Sequence, residues 1–115
     1  MTDPNAMAAN ALQASDLLKC LANPHRLLIL CHLAEGELSV GELEHRLKLR
    51  QPTLSQQLAR LREDRLVDTR RAGKMIYYRL ASTDARRLIQ LLYELFCATE
   101  VKPRPAAVRA RERIE

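Results

Sequence analysis

Three kinds of side chain in this 115-residue chain could do chemistry. The first is the thiol, at Cys20, Cys31 and Cys97. A thiolate is a nucleophile, a metal ligand and a redox group, while a buried free thiol is simply a small hydrophobe. The positions of these cysteines leave all of those roles open. The second is the imidazole, at His25, His32 and His45. Their spacing matches no shared metal site or catalytic triad, and His32 lies in an apolar run, where a structural role is the ordinary one. The third is a polar string, Gln51, Thr53, Ser55 and Gln56, followed a turn later by Arg60. Glutamine amides pair with adenine, serine and threonine hydroxyls meet several base edges, and arginine favours guanine. Catalysis has little to stand on. There is no glycine-rich phosphate loop and no pair of carboxylates in an apolar setting, and the reading is of a protein that is not an enzyme and needs no cofactor or metal.

Charge singles out the same region as the polar string. The net charge is +5. Between Arg46 and Arg79 stand ten basic residues against three acids, so that segment carries +7 and the remainder −2. A basic segment concentrated within a folded domain is the electrostatic footprint of a nucleic-acid binder. No apolar run approaches the roughly 20 residues that cross a bilayer. Residues 1–10 lack a basic stretch followed by an apolar one, so a cytoplasmic location is expected. In that compartment permanent structural disulfides are uncommon.

The elements that must position these groups follow from periodicity and capping. With no Trp and one Phe, the core falls to Leu, Ile, Val and Ala, which favours helices. Ala6 to Leu21 reads as a first helix with Leu12, Leu17, Leu18 and Leu21 on its apolar side. Asn23-Pro24 breaks it and caps a second, in which Arg26 to Ala34 is apolar nearly all round and so belongs mid-core. Ser39 and Glu42 form a capping box for a short third helix ending near Leu47. After a tight Lys48-Leu49-Arg50 connection, Gln51-Pro52 opens a fourth, with Pro52 in its first turn. Its stripe of Leu54, Leu58 and Leu61 recurs at i, i+4 and i+7. Leu66–Arg71 and Met75–Leu80 read as strands of a β-hairpin turning at Ala72-Gly73-Lys74. Ser82 caps a last helix running to about Ala98. It carries two apolar stripes, Leu88, Leu91, Leu92 and Leu95, and Ile89, Tyr93 and Phe96. One stripe can face the core; the other implies a homodimer interface. Residues 1–99 therefore form one domain, and 100–115, rich in Pro, Ala and Arg, reads as a disordered tail.

Two short helices joined by a tight turn, the second with a polar outer face, make a helix-turn-helix. The hairpin after it is a wing, where Arg70, Arg71 and Lys74 suit phosphate or minor-groove contacts. The expectation is a mainly α fold with a β-hairpin wing that binds double-stranded DNA. A helical interaction module without nucleic acid would not need its basic residues gathered on one helix and one hairpin.

The motifs LANPHRL, ELSVGEL, QPTLSQQLARLR and YYRL, from Leu17 to about Cys97, resemble the ArsR family of winged-helix repressors. The resemblance implies a homodimer through the first and last helices. It also implies DNA-reading residues at Thr53, Ser55, Gln56 and Gln57. Many members of that family sense thiophilic metals through two cysteines in the third helix, where this chain has Ser39 and Gly41. Another branch uses Asp and His pairs along the last helix, which has no His here. The remaining pair, Cys31 in LLILC and Cys97 in LYELFC, resembles the persulfide- and redox-sensing BigR/SqrR/HlyU-like branch. That branch implies a sequence-specific repressor that loses operator affinity when reactive sulfur species or an oxidant bridge Cys31 and Cys97. Cys20 matches no sensing position and reads as filler. The alternatives are a metal- or haem-responsive repressor of the same type, and a redox-insensitive regulator or anti-repressor.

Overall fold

The computed structural model describes residues 3–97, and both Ala98 and the expected tail from 100 to 115 lie outside them. The elements are α1 (Pro4–Leu21), α2 (Pro24–Leu33), β1 (Leu38–Ser39), α3 (Val40–Leu47), α4 (Thr53–Glu63), β2 (Val67–Ala72), β3 (Met75–Leu80) and α5 (Thr83–Phe96).

Side-chain caps set most of the helix starts. Orphan N–H groups in the first turn need an acceptor, and a short polar side chain supplies one. Asn23 accepts the Arg26 N–H at 3.1 Å, with Pro24 behind it in the first turn. Ser82 accepts the Ala85 N–H at 3.0 Å. At α3 the box is reciprocal: Ser39 Oγ accepts the Glu42 N–H at 3.1 Å, and Glu42 Oε1 accepts the Ser39 N–H at 2.8 Å. Two starts differ from the sequence reading. Asp3 caps α1 by accepting the Asn5 N–H, so that helix begins at Pro4 rather than Ala6. Pro52 is the cap residue of α4 and not in its first turn. It has no side-chain acceptor to offer, and Gln51 takes that part by accepting the Ser55 N–H at 3.1 Å.

The hairpin pairs Val67 with Leu80 through Ala72 with Met75, which narrows the turn to Gly73-Lys74. Gly73 sits at φ +62°, the left-handed region where a side chain is strained. A strand that the sequence did not reveal completes the sheet. Leu38 and Ser39 pair antiparallel with Tyr78 and Tyr77, giving the order β1-β3-β2. Two residues are too short to show an alternating pattern.

Helix α2 lies at the centre and touches α1, α3, α4, α5 and β3. Its Ile29, Leu30 and Leu33 are fully buried with Leu43 of α3, the Leu54–Leu58–Leu61 stripe of α4, and Ala85 and Ile89 of α5. The expected partition of α5 is redrawn. Its core face is Ala85, Leu88 and Ile89, one member from each expected stripe plus a small residue. Leu91, Tyr93, Leu95 and Phe96 are exposed on the rest of the helix. On α1 the core takes Leu17, Cys20 and Leu21, whereas Leu12 is 74% exposed and Leu18 57%. Among the described residues no helix is long and apolar enough to cross a membrane.

Candidate nucleic-acid interface and thiol site

Helices α3 and α4 meet through Lys48, whose φ of +57° ends α3 in the left-handed conformation while its N–H returns to Glu44 O at 2.8 Å. Burying the Leu54–Leu58–Leu61 stripe turns the opposite face of α4 to solvent. Gln51, Ser55, Gln56 and Arg60 are exposed there and Thr53 is half-buried. These side chains are not equally free. Gln51 Oε1 also accepts from Ser55 Oγ. Arg60 is engaged one turn on, its Nε donating to Asp64 Oδ2 at 2.9 Å. Gln57 is half-buried, and its Oε1 accepts from Arg26 NH1 at 3.0 Å.

The basic residues of the wing divide in the same way. The Arg70 side chain reaches from β2 over β3 to pair with Glu37, and its guanidinium lies 4.9 Å from the centre of the Tyr77 ring. The arginine in turn holds the Glu37 carboxyl below the usual carboxylate range, first through the hydrogen bond and then through its charge. Arg79 donates to Asp68 directly opposite. Arg71 and Lys74, at the hairpin end, are exposed and have no ion pair among the described residues. They are the cations left available to an outside phosphate.

The three thiols stand in two settings. Cys31, half-buried on α2, lies near enough to Cys97, exposed at the end of α5, to feel its charge. The Cys31 thiol is pushed up from its ordinary range by burial first, then by Cys97, then by Glu35. Beside it a groove of about 380 Å³ runs between α2 and α5, lined by Cys31, Glu35, Arg86, Ile89, Gln90 and Tyr93 among others. Both cysteines are unbridged. Cys20 is different. It is buried at the end of α1 against Asp64, and its thiol is pushed up to about 11 by burial first and then by hydrogen bonding to that carboxylate. The same bond, followed by the one from Arg60, holds Asp64 below its usual range.

Cys20 is therefore a protonated core thiol at neutral pH, and iodoacetamide should alkylate it far more slowly than exposed Cys97 in the folded protein, as read by mass spectrometry of the digest. Its raised pKa also favours folding while the thiol is protonated. That contribution is whole below the ordinary thiol value near 9 and fades as pH climbs toward about 11.

Sequence reasoning missed Arg26 and Glu37. Arg26 reaches its partner Gln57 across 31 positions of chain, and Glu37 reaches Arg70 across 33. Neither has a local pattern that announces it. Among the described residues, no three His, Cys, Asp or Glu side chains are grouped as metal ligands would be.

Comparison with known proteins agrees with this architecture. Residues 23–69 match the arsR family of bacterial regulatory proteins. The chain is 59% identical over 95 residues to the biofilm growth-associated repressor of Agrobacterium fabrum, covering 83% of this chain and 81% of that protein. It superposes on the crystal structure of the transcriptional repressor BigR from Xylella fastidiosa with a TM-score of 0.80 and 48% identity, covering 85% of this chain and all of that one. The structure of reduced HlyU from Vibrio cholerae gives a TM-score of 0.77 at 49% identity, over 81% of this chain and 98% of that one. The chain thus belongs to the ArsR family, winged helix-turn-helix DNA-binding regulators of transcription and not enzymes.

Proposed function

We propose that this protein is a cytoplasmic, homodimeric repressor that recognises a specific operator and is released from it when Cys31 and Cys97 become bridged. The observation that carries the DNA-binding part is the exposed hydrogen-bonding face of α4 beside a wing that ends in Arg71 and Lys74, which have no ion pair among the described residues. A helix of that kind enters the major groove with its early residues, here Gln51, Thr53, Ser55 and Gln56, at base edges. Gln57 and Arg60 flank them, and Arg70, Arg71 and Lys74 follow the phosphates. Repression is supported by the names of the Agrobacterium and Xylella relatives. In a binding titration, log affinity should fall linearly with log salt. Lys74→Ala should flatten that slope by about 1 and weaken binding about evenly across duplex sequences. Binding indifferent to salt would contradict the assignment.

The dimer is supported by the apolar surface left uncovered on α1 and α5, Leu12 and Leu18 on one and Leu91, Tyr93 and Leu95 on the other. Two copies joined there would present two α4 helices to half-sites about one DNA turn apart. Sedimentation should find dimers of the unsubstituted chain and monomers of a Leu12→Asp/Leu91→Asp variant.

The switch rests on the thiol pair. Exposed Cys97 is the accessible nucleophile. Its thiolate attacks the terminal sulfur of an organic persulfide, R–S–SH, forming Cys97–S–SH and expelling RS⁻. The Cys31 thiolate then attacks the Cys97 sulfur, forming the Cys31–Cys97 disulfide and releasing HS⁻. Further sulfane sulfur would lengthen the bridge to a polysulfide. A bridge from α2 to the end of α5 ties the core to the dimer helix, and a shift in dimer geometry alters the spacing of the two α4 helices.

A further inference from the structure

One arginine outside both sites is hydrogen-bonded to a glutamine of α4. Arg26 lies in the first turn of α2 and its guanidinium donates to three acceptors at once. Nε donates to Cys20 O at 2.6 Å and NH2 to Lys19 O at 3.4 Å, which satisfies carbonyls at the end of α1. NH1 donates to the side-chain amide of Gln57 at 3.0 Å. A guanidinium has donors and no acceptor. The Gln57 atom that faces it must therefore be the carbonyl oxygen, and the amide NH2 points the other way.

Pairing with adenine takes both ends of a glutamine amide, the oxygen accepting from N6 and the nitrogen donating to N7. With its oxygen turned toward Arg26 and one of its two lone pairs taken there, Gln57 presents the NH2 donors on its outward side. We propose that Arg26 is a positioning residue that makes Gln57 a one-sided donor, aimed at a DNA phosphate oxygen and withdrawn from adenine readout. The position of Gln57 supports this. It flanks the buried stripe of α4 on the side that meets α2 and is half-buried, whereas Gln51, Ser55 and Gln56 stand fully out on the helix face. A donor at the flank of a reading helix meets the backbone of the duplex, and such contacts position the protein without reading sequence. The geometry also fixes a division of labour among three glutamines: Gln56 faces solvent unencumbered, Gln51 is tied to Ser55, and Gln57 is tied to Arg26.

This assignment rests on the DNA-binding reading above, and the test separates the two. A pool of duplexes randomised across both half-sites is selected with the unsubstituted protein, with Gln57→Ala, with Arg26→Met and with the double variant, and the recovered sequences and affinities are compared. The unsubstituted protein and Gln57→Ala should recover the same consensus, with Gln57→Ala binding it about 3- to 10-fold more weakly. Arg26→Met keeps the apolar stem and removes the donors. In that background Gln57→Ala should cost less than 2-fold, because the amide is no longer oriented. An adenine fixed by the unsubstituted protein and lost by Gln57→Ala would overturn the assignment. So would an equal cost of Gln57→Ala in both backgrounds. The first comparison stands without Arg26→Met should that variant fail to fold. Failure of the unsubstituted protein to enrich any sequence would strike at operator recognition itself, a different result from a changed base profile.

Discussion

Treatment with an organic persulfide is expected to weaken operator binding by the unsubstituted protein by about 10- to 100-fold, while Cys31→Ser binds equally well before and after treatment. The range corresponds to ~1–3 kcal/mol, the ordinary size of a coupling between two sites on one protein. Mass spectrometry of the treated protein should show Cys31 joined to Cys97 within one chain and Cys20 free. Both cysteines are needed for different reasons. Cys97→Ser removes the exposed nucleophile and should leave Cys31 slow to react. Cys31→Ser still forms the Cys97 persulfide but has no second thiol with which to close the bridge. The pH dependence follows from the Cys31 thiol, which burial, Cys97 and Glu35 hold protonated above its ordinary range. Closure needs its thiolate, so the second step should accelerate as pH rises through and beyond 9. Operator affinity that falls equally in treated Cys31→Ser would remove the bridge from the mechanism.

Leu61→Ala is expected to be a strongly damaging truncation of the reading helix. Leu61 is fully buried and packs where α4 meets the centre of the core. Deleting its side chain forfeits the transfer free energy and leaves a cavity, together about 3 kcal/mol. In a domain of this size that lowers the Tm by more than about 10 °C, because each kcal/mol is worth ~4–8 °C. Leu12→Ala, on the exposed side of α1, is the control. It should leave the thermal stability of the monomer nearly unchanged and act only on self-association. Calorimetry at two protein concentrations distinguishes the two. A Leu61→Ala midpoint within a few degrees of the unsubstituted protein would show that the α4 stripe contributes far less to the core than its burial indicates.

Much of the fold was legible because each signal was local and redundant. The Leu54–Leu58–Leu61 spacing announces a one-sided helix, and all three side chains are in fact buried. Asn23-Pro24, the Ser39–Glu42 box and Ser82 mark helix starts through bonds spanning three residues, and the structure contains each of them. What escaped was either too short or too long in range. Strand β1 has two residues, and its existence depends on β3 some 40 positions later. The division of α5 between core and surface could not be read from hydrophobicity, since both stripes are apolar. The core chose the side on which Ala85 permits close approach. At the candidate interface, residue type alone marked out the polar face of α4 and the basic wing. It could not tell which of those cations were already spoken for. Arg60, Arg70 and Arg79 each pair with a carboxylate, and only the folded arrangement separates them from Arg71 and Lys74. The proposed thiol pair came from family resemblance, because a cysteine in an apolar helix carries no mark that points to another 66 positions away.

Ser39 holds a place in two structures at once. Its side chain starts α3, and its backbone is paired with Tyr77 of the wing strand. The wing therefore cannot peel away without loosening the first turn of the helix-turn-helix, and neither part opens as an independent foldon. In the proposed complex, a hairpin on the sugar–phosphate rail would thereby be geared to the helices in the groove. On the proposed DNA-binding reading the two contacts would engage and let go together, so that a modest change at one end would loosen both.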